Sequence, residues 1–205
     1  REPRTKQEEL QQQSIFLIDN WCSNYELKIR EKGGIGFFLG GLGPDGHIAF
    51  NTRGSDIYST TRLTETNFET QAVAASDLGG IEVSKNRLVI TIGLETITHK
   101  PDAVAIIIAA GEAKAKMVKH SAESPISNLY PASVLQRLPN SRFYLTTGAA
   151  SQLSDSEHRF FNSGEWTHEK TELAVIKLCN KIDKYGHRLT PDDLRNDGFC
   201  KLIPK

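Results

Sequence analysis

The sequence predicts an α/β fold, a mostly parallel sheet with helices on both faces, and three observations carry that expectation. Continuous apolar runs at 88–92 and 103–109 suit strands covered on both sides. Segments with helical periodicity alternate with these runs. A third apolar run, 35–39, leads straight into a Gly-rich turn, the kind of strand-to-helix corner where parallel α/β folds place their chemistry.

The elements follow in order. Residues 5–31 are rich in Glu, Gln, Lys and Leu, and Ile15, Ile18, Cys22, Tyr25 and Ile29 recur at spacings of three and four, which predicts an amphipathic helix with one face on a core. Gly33-Gly34 should end it, and 35–39 then reads as a buried strand. The polar stretch 53–65 reads as a solvated loop, with a mobile lid as the alternative, and a short helix is expected near 68–75. Beyond the strands at 88–92 and 103–109, helices are expected over 112–120 and 132–138, with a strand over 142–146 between the second of them and the C-terminal region. Val175, Leu178, Cys179, Ile182 and Tyr185 mark one more amphipathic helix, and Thr190-Pro191-Asp192-Asp193 reads as a cap with Pro at the first helical position.

Composition bounds the function classes. At 205 residues, 38% hydrophobic and 24% charged, the chain can build one sizeable core, and its formal charge of zero offers no basic field to nucleic acid or an anionic membrane. Cys22, Cys179 and Cys200 are far apart and lack metal-ligand spacing, so they read as reduced thiols of a cytoplasmic protein. The polar residues 1–13 lack the apolar core of a signal peptide, and no apolar run reaches membrane-spanning length. His99, His120, His158, His168 and His187 read as surface residues, while Trp21 and Trp166 read as core packing.

The corner itself is Gly40-Gly41-Leu42-Gly43-Pro44-Asp45-Gly46-His47-Ile48-Ala49-Phe50-Asn51-Thr52. Its glycines permit positive φ or close approach of a ligand to the backbone, and an Asp two residues from a His can fix the ring's orientation and proton load. Spacing alone also allows an ordinary βα turn carrying a surface His.

The stretch Asp45 to Asn51 resembles the Asp-Gly-His-Ile-Ala-Phe-Asn motif of the glucosamine-6-phosphate deaminases, which convert glucosamine 6-phosphate and water to fructose 6-phosphate and ammonia. The resemblance runs from about 18 to about 153 and includes Ser59-Thr60-Thr61-Arg62, Leu88 to Gly93 and Ile106 to Lys114. It implies a Rossmann-like fold shared with 6-phosphogluconolactonase, no cofactor, and a sugar phosphate as the small-molecule partner. By the same resemblance His47 is the acid–base that moves the ring-oxygen proton, and Asp45 is the carboxylate that tunes it. Gly43, Asn51 and Lys114 fall at substrate-binding positions, with Lys114 on the phosphate beside a helix start. Ser55 and Arg62 match positions that bind an allosteric sugar phosphate in some oligomeric members. The resemblance leaves room for a homo-oligomer without requiring one.

The chain also departs from the family. Thr52 stands where the deaminases complete an Asp-His-Glu arrangement, Ser76 replaces a second phosphate-binding Arg, and Thr64 replaces the Lys of the allosteric site. Family members begin with strands carrying a Gly-Gly-Thr-Pro-like phosphate loop and an Asp-Glu-Tyr-like segment that holds the C1/C2 proton carrier. Here a helix comes first and neither motif occurs, so the expectation is the C-terminal part of the domain. Residues 1–153 are read as that truncated sugar-phosphate domain. Residues 154–205 are read as an extension or linker, as in long members fused to a de-N-acetylase-like domain. Thr190-Pro191-Asp192-Asp193 lacks the His of that domain's metal motif, so no bound metal is expected. Two other readings remain: a lactonase, whose motif usually continues Thr-Ala-Ser-Leu-Phe-Pro, and a sugar-phosphate sensor without turnover.

Overall fold

A computed structural model describes residues 2–85, 87–155, 160–161 and 165–196, and the chain divides into two units, Arg1–Leu153 and Ser154–Lys205. Cys200 and His158 lie outside the described residues.

In the first unit, helix α1 (Lys6–Glu31) opens on a capping box in which Thr5 and Glu8 satisfy each other's backbone N–H groups. It closes at Gly33 and Gly34, both at positive φ, as the sequence requires. Strand β1 (Phe37–Gly41) pairs in parallel with β4 (Val104–Ala109), which pairs in parallel with β5 (Asn140–Leu145). The connection from β1 to β4 carries β2 (Arg62–Glu65), α2 (Phe68–Leu78), α3 (Ile81–Lys85), β3 (Leu88–Thr91) and α4 (Leu94–Thr98). A 3-10 turn, Glu112–Lys114, leads into α5 (Ala115–Glu123), and a second, Pro131–Arg137, precedes β5.

One face of this sheet is the core. Ala105, Ile107 and Ala109 of β4 point into it and meet Leu42, Ile48, Leu94, Ile97, Val118, Val134 and Leu135, all buried. On the opposite face Phe37, Leu39, Ile108 and Tyr144 are exposed within the described residues. The run 35–39 thus enters the strand only at Phe37, and the expectation of a buried strand there is corrected, because Phe37 and Leu39 are exposed.

Further readings change. The run 88–92 is a strand outside the parallel sheet: β3 pairs antiparallel with β2, so part of the stretch read as a loop is strand, and Leu88 and Ile90 face outward. A continuous apolar run cannot distinguish a sandwiched strand from one beside a polar neighbour. Helix α1 forms, but only Cys22 and Glu26 of it are buried, and Ile15, Tyr25 and Trp21 are exposed. Trp21 is therefore not a core residue; it stacks on Tyr25 of its own helix at 5.2 Å. His120 is half-buried rather than superficial and stacks on Tyr130 at 4.3 Å.

What anchors α1 is polar. The buried Glu26 carboxylate accepts from the Thr61 N–H (3.3 Å), the Thr61 hydroxyl (2.9 Å) and the Thr96 hydroxyl (2.8 Å), and its other oxygen pairs with Arg30 (3.2 Å). Burial opposes its ionisation, but these hydroxyls, the N–H and Arg30 outweigh it and hold the carboxyl below its ordinary value.

In the second unit, α6 (His168–Ile182) starts at the Thr167 cap and buries Ala174 and Leu178 against Trp166, Ile182, Leu189 and Leu194. Tyr185 lies beyond that helix and is exposed. Helix α7 (Pro191–Asn196) begins as the sequence predicts, with the Thr190 hydroxyl accepting from the Asp193 N–H at 3.3 Å.

Candidate active site

The corner forms at the carboxyl end of β1. The Gly43 N–H donates to the His47 carbonyl at 2.9 Å and the Gly46 N–H to the Gly43 carbonyl at 3.1 Å, with Gly46 in the left-handed region at φ 84°. This tight loop folds the imidazole back over Gly43. A Cβ at position 43 would collide with the His47 ring, so the residue must be glycine for the ring to sit there. Ile48 then plugs the core, and Ala49 takes a left-handed φ of 49° that redirects the chain.

Asp45 is 1% exposed and fully engaged. Its Oδ1 accepts from His47 Nδ1 at 2.5 Å, and its Oδ2 accepts from the Arg53 N–H at 2.9 Å and from Asn67 Nδ2 at 2.6 Å. Burial opposes ionisation, yet the bonds from His47 and Arg53 and the charge of His47 win, and the carboxyl lies far below the usual carboxylate range. An ionised Asp45 assigns the hydrogen to Nδ1 of His47 and leaves Nε2 as the group that can accept a proton.

Asn51 is fully buried, and its amide is spent on the scaffold. Nδ2 donates to the carbonyls of Ile48 (3.1 Å) and Ile92 (2.8 Å), while Oδ1 accepts from Arg62 at 2.8 Å. It braces the corner to the end of β3 rather than facing the cleft. Arg62 also reaches Ser55 Oγ at 3.1 Å, so the structure brings Ser55, Arg62 and Asn51 together with the guanidinium already bonded. Burial lowers the Arg62 pKa, and Asp56 partly offsets this.

Lys114 arrives from the neighbouring strand. β1 and β4 run side by side in the same direction, with Gly41 opposite Ile108, so the turn after β4 meets the corner after β1. Lys114 ends the 3-10 turn, and it lines a cleft of about 570 Å³ together with Gly43, His47, Phe50, Thr70 and Val73. Burial pushes its ammonium pKa down, while the charge of Asp45 pulls the other way. Ser76 is exposed on α2, and Thr52 serves the turn through its backbone, accepting from the Ser55 N–H at 2.9 Å. Sequence reasoning missed Asn67 and Thr70; an Asn with a Thr three residues on, ahead of a helix, was a readable cap signal. Among the described residues no cluster of His, Cys, Asp or Glu could hold a metal, and no helix is long and apolar enough to cross a membrane.

Two adjacent parallel strand ends thus deliver a carboxylate-backed imidazole and a lysine to one cleft, at the strand ends where α/β folds place their sites. No protein-family model matches the chain. A putative glucosamine-6-phosphate deaminase-like protein of Bacteroides thetaiotaomicron is 32% identical over 205 residues, covering 95% of this chain and 30% of that protein. The glucosamine-6-phosphate deaminase of Borrelia hermsii is 34% identical over 149 residues, covering 72% of this chain and 55% of that enzyme. A solved monomeric glucosamine-6-phosphate deaminase superposes with a TM-score of 0.59 at 28% identity, over 65% of this chain and 54% of the other. The chain belongs to the glucosamine-6-phosphate deaminase family. It spans about half the length of the curated deaminases it matches.

Proposed function

We propose that this chain is the acid–base and phosphate-holding part of an aldose–ketose isomerase/deaminase that turns glucosamine 6-phosphate into fructose 6-phosphate and ammonia. The observation that carries this reading is the meeting of the Asp45–His47 pair and Lys114 on one cleft. Nε2 of His47 takes the proton of the anomeric hydroxyl and delivers it to the ring oxygen as the bond from that oxygen to C1 breaks, while Asp45 keeps Nδ1 protonated and steadies the imidazolium when it forms. Lys114 holds the phosphate, and the bare Gly43 backbone lets the sugar approach the ring. Asn51 and Arg62 brace the corner. A phosphate on Ser55 and Arg62 would have to displace bonds already made there, so allosteric binding at that point is not part of the proposal.

Moving a proton between C2 and C1 needs a further base. The family resemblance assigns it to an Asp-Glu-Tyr-like motif that does not occur in these 205 residues, so in this reading they bind the sugar phosphate without turning it over. Residues 1–153 are the sugar-phosphate domain in this reading, and 154–205 are a C-terminal helical extension or linker. Support for the second point is the long Bacteroides relative, whose alignment covers 95% of the chain, against 72% for the Borrelia hermsii enzyme. The zero net charge supports a small-molecule partner over nucleic acid, and the free thiols of Cys22 and Cys179 support a cytoplasmic setting.

The test is ammonia release from glucosamine 6-phosphate by the parent gene product, whose intact mass is measured alongside. His47→Gln is expected to lower turnover at least about a hundredfold, the range for loss of a general acid–base. Unaffected turnover would remove His47 from the mechanism. A native 205-residue protein that binds the sugar phosphate and releases no ammonia would support the sensor reading instead.

A further inference from the structure

Asn67 occupies two places in the structure at once. As the N-cap of α2 its Oδ1 accepts from the Thr70 N–H at 3.1 Å and from the Thr70 hydroxyl at 2.7 Å. Its Nδ2 donates to Asp45 Oδ2 at 2.6 Å. We propose that Asn67 is a positioning residue for the Asp45–His47 pair: it locks the plane of the Asp45 carboxylate from outside the corner, and so makes the first turn of α2 part of the acid–base apparatus. The proposal rests on the reading of His47 as the acid–base.

The orientation of the amide follows from its neighbours. Turned over, it would set its oxygen against an ionised carboxylate and its N–H group against the Thr70 N–H, two repulsions in place of two bonds. The torsion that orients a carboxylate is soft, because a terminal sp³–sp² bond has no sharp minima. The Arg53 N–H alone fixes one direction at Oδ2. A second donor on the same oxygen, carried by a different element, removes the remaining freedom and keeps Oδ1 aimed at His47. Thr70 adds to this: its hydroxyl hydrogen goes to Asn67, and its oxygen lies 3.4 Å from His47 Nδ1.

An amide suits this position for a chemical reason. It supplies a donor for the carboxylate and an acceptor for the cap without adding charge. A Thr would cap the helix but is too short to reach Asp45. An Asp would also cap it, while setting carboxylate against carboxylate. Charged residues beside the pair include Lys114, from the turn after β4, which feels the charge of Asp45, and Arg53, whose N–H meets Oδ2; α2 contributes the neutral Asn67 and Thr70. A charge introduced at position 67 is therefore felt directly.

The experiment uses the whole 205-residue chain, isotopically labelled, with Asn67→Asp and Asn67→Thr, both of which retain a capping side chain. In Asn67→Asp the two facing carboxyls must share a proton, and one carboxyl carbon is expected to titrate at least about two pH units above an ordinary Asp near 3.9. In Asn67→Thr the helical circular dichroism is expected to hold while the His47 Nδ1–H proton resonance shifts and broadens. Two ordinary carboxyl titrations in Asn67→Asp, or an unchanged His47 resonance in Asn67→Thr, would overturn the proposal and leave Asn67 a helix cap. Should Asn67→Asp fail to fold, Asn67→Thr decides alone. Neither readout involves turnover, so failure here is distinct from failure of the deaminase reading.

Discussion

The two faces of the parallel sheet are made of similar residues and live in different surroundings. On one, Ile107 is 0% exposed amid Leu94, Val118 and Leu135; on the other, Leu39 is 57% exposed on the neighbouring strand. The candidate site lies at the strand ends, where backbone turns and polar side chains hold it, and its cleft reaches the exposed face at Leu39. The corner is bonded largely to itself, to the end of β3 and to the start of α2.

The strongest test of that contrast is Ile107→Ala. Removing a fully buried branched side chain loses transfer energy and leaves a cavity, for about 3 kcal/mol. Urea unfolding followed by circular dichroism is expected to show the loss as a lower midpoint with an unchanged slope. A cost under about 1 kcal/mol would mean that this face is less tightly packed than its burial indicates.

Glu26 offers a second test, because its neighbours bind α1 to the unit by polar contacts rather than by an apolar stripe. Glu26→Ala leaves the Thr61 N–H and the hydroxyls of Thr61 and Thr96 without their acceptor, at about 2 kcal/mol. The pH dependence has a definite sign. Glu26 titrates below its ordinary 4.5 in the folded chain, so its contribution is fully present above that value and fades as pH falls through the folded value. The stability gap between the parent chain and Glu26→Ala is expected to be full at pH 7 and to narrow in acid. A gap that stays constant down to pH 3 would show that the carboxylate's charge plays no part.

How much of this was legible in the sequence depends on how local the cause is. The Asp45–His47 pair is two residues apart on a glycine turn, and its geometry follows from short-range backbone constraints, so the string itself signalled it. The Lys114 position came from resemblance, because a lysine in a charged helical stretch carries no mark of the strand pairing that brings it to His47. Asn67 lies 22 residues from Asp45, and nothing in the spacing says that the two meet. The same limit explains α1: periodicity shows which residues share a helix face, but not whether a partner covers them, and Ile15 and Tyr25 stay open. The placement of β3 escapes the sequence for a related reason, since its partner β2 is built from Arg, Thr and Glu as well as Leu, a composition that reads as loop.

The smallest expected effect is the most discriminating one. Leu39→Ala removes as many atoms as a core truncation, from a strand that pairs directly with β4 opposite Ile106. Its side chain is more than half in water already, so little transfer energy is lost and no closed cavity forms; the change should stay within about 0.5 kcal/mol. Measured on the 205-residue chain beside Ile107→Ala, it isolates covering from composition, because both positions are aliphatic and both lie in paired parallel strands. A loss of about 2 kcal/mol or more would mean that something covers this face in solution, since only a covered leucine costs that much to truncate. Sedimentation at two protein concentrations would then distinguish self-association, which depends on concentration, from cover supplied within one chain.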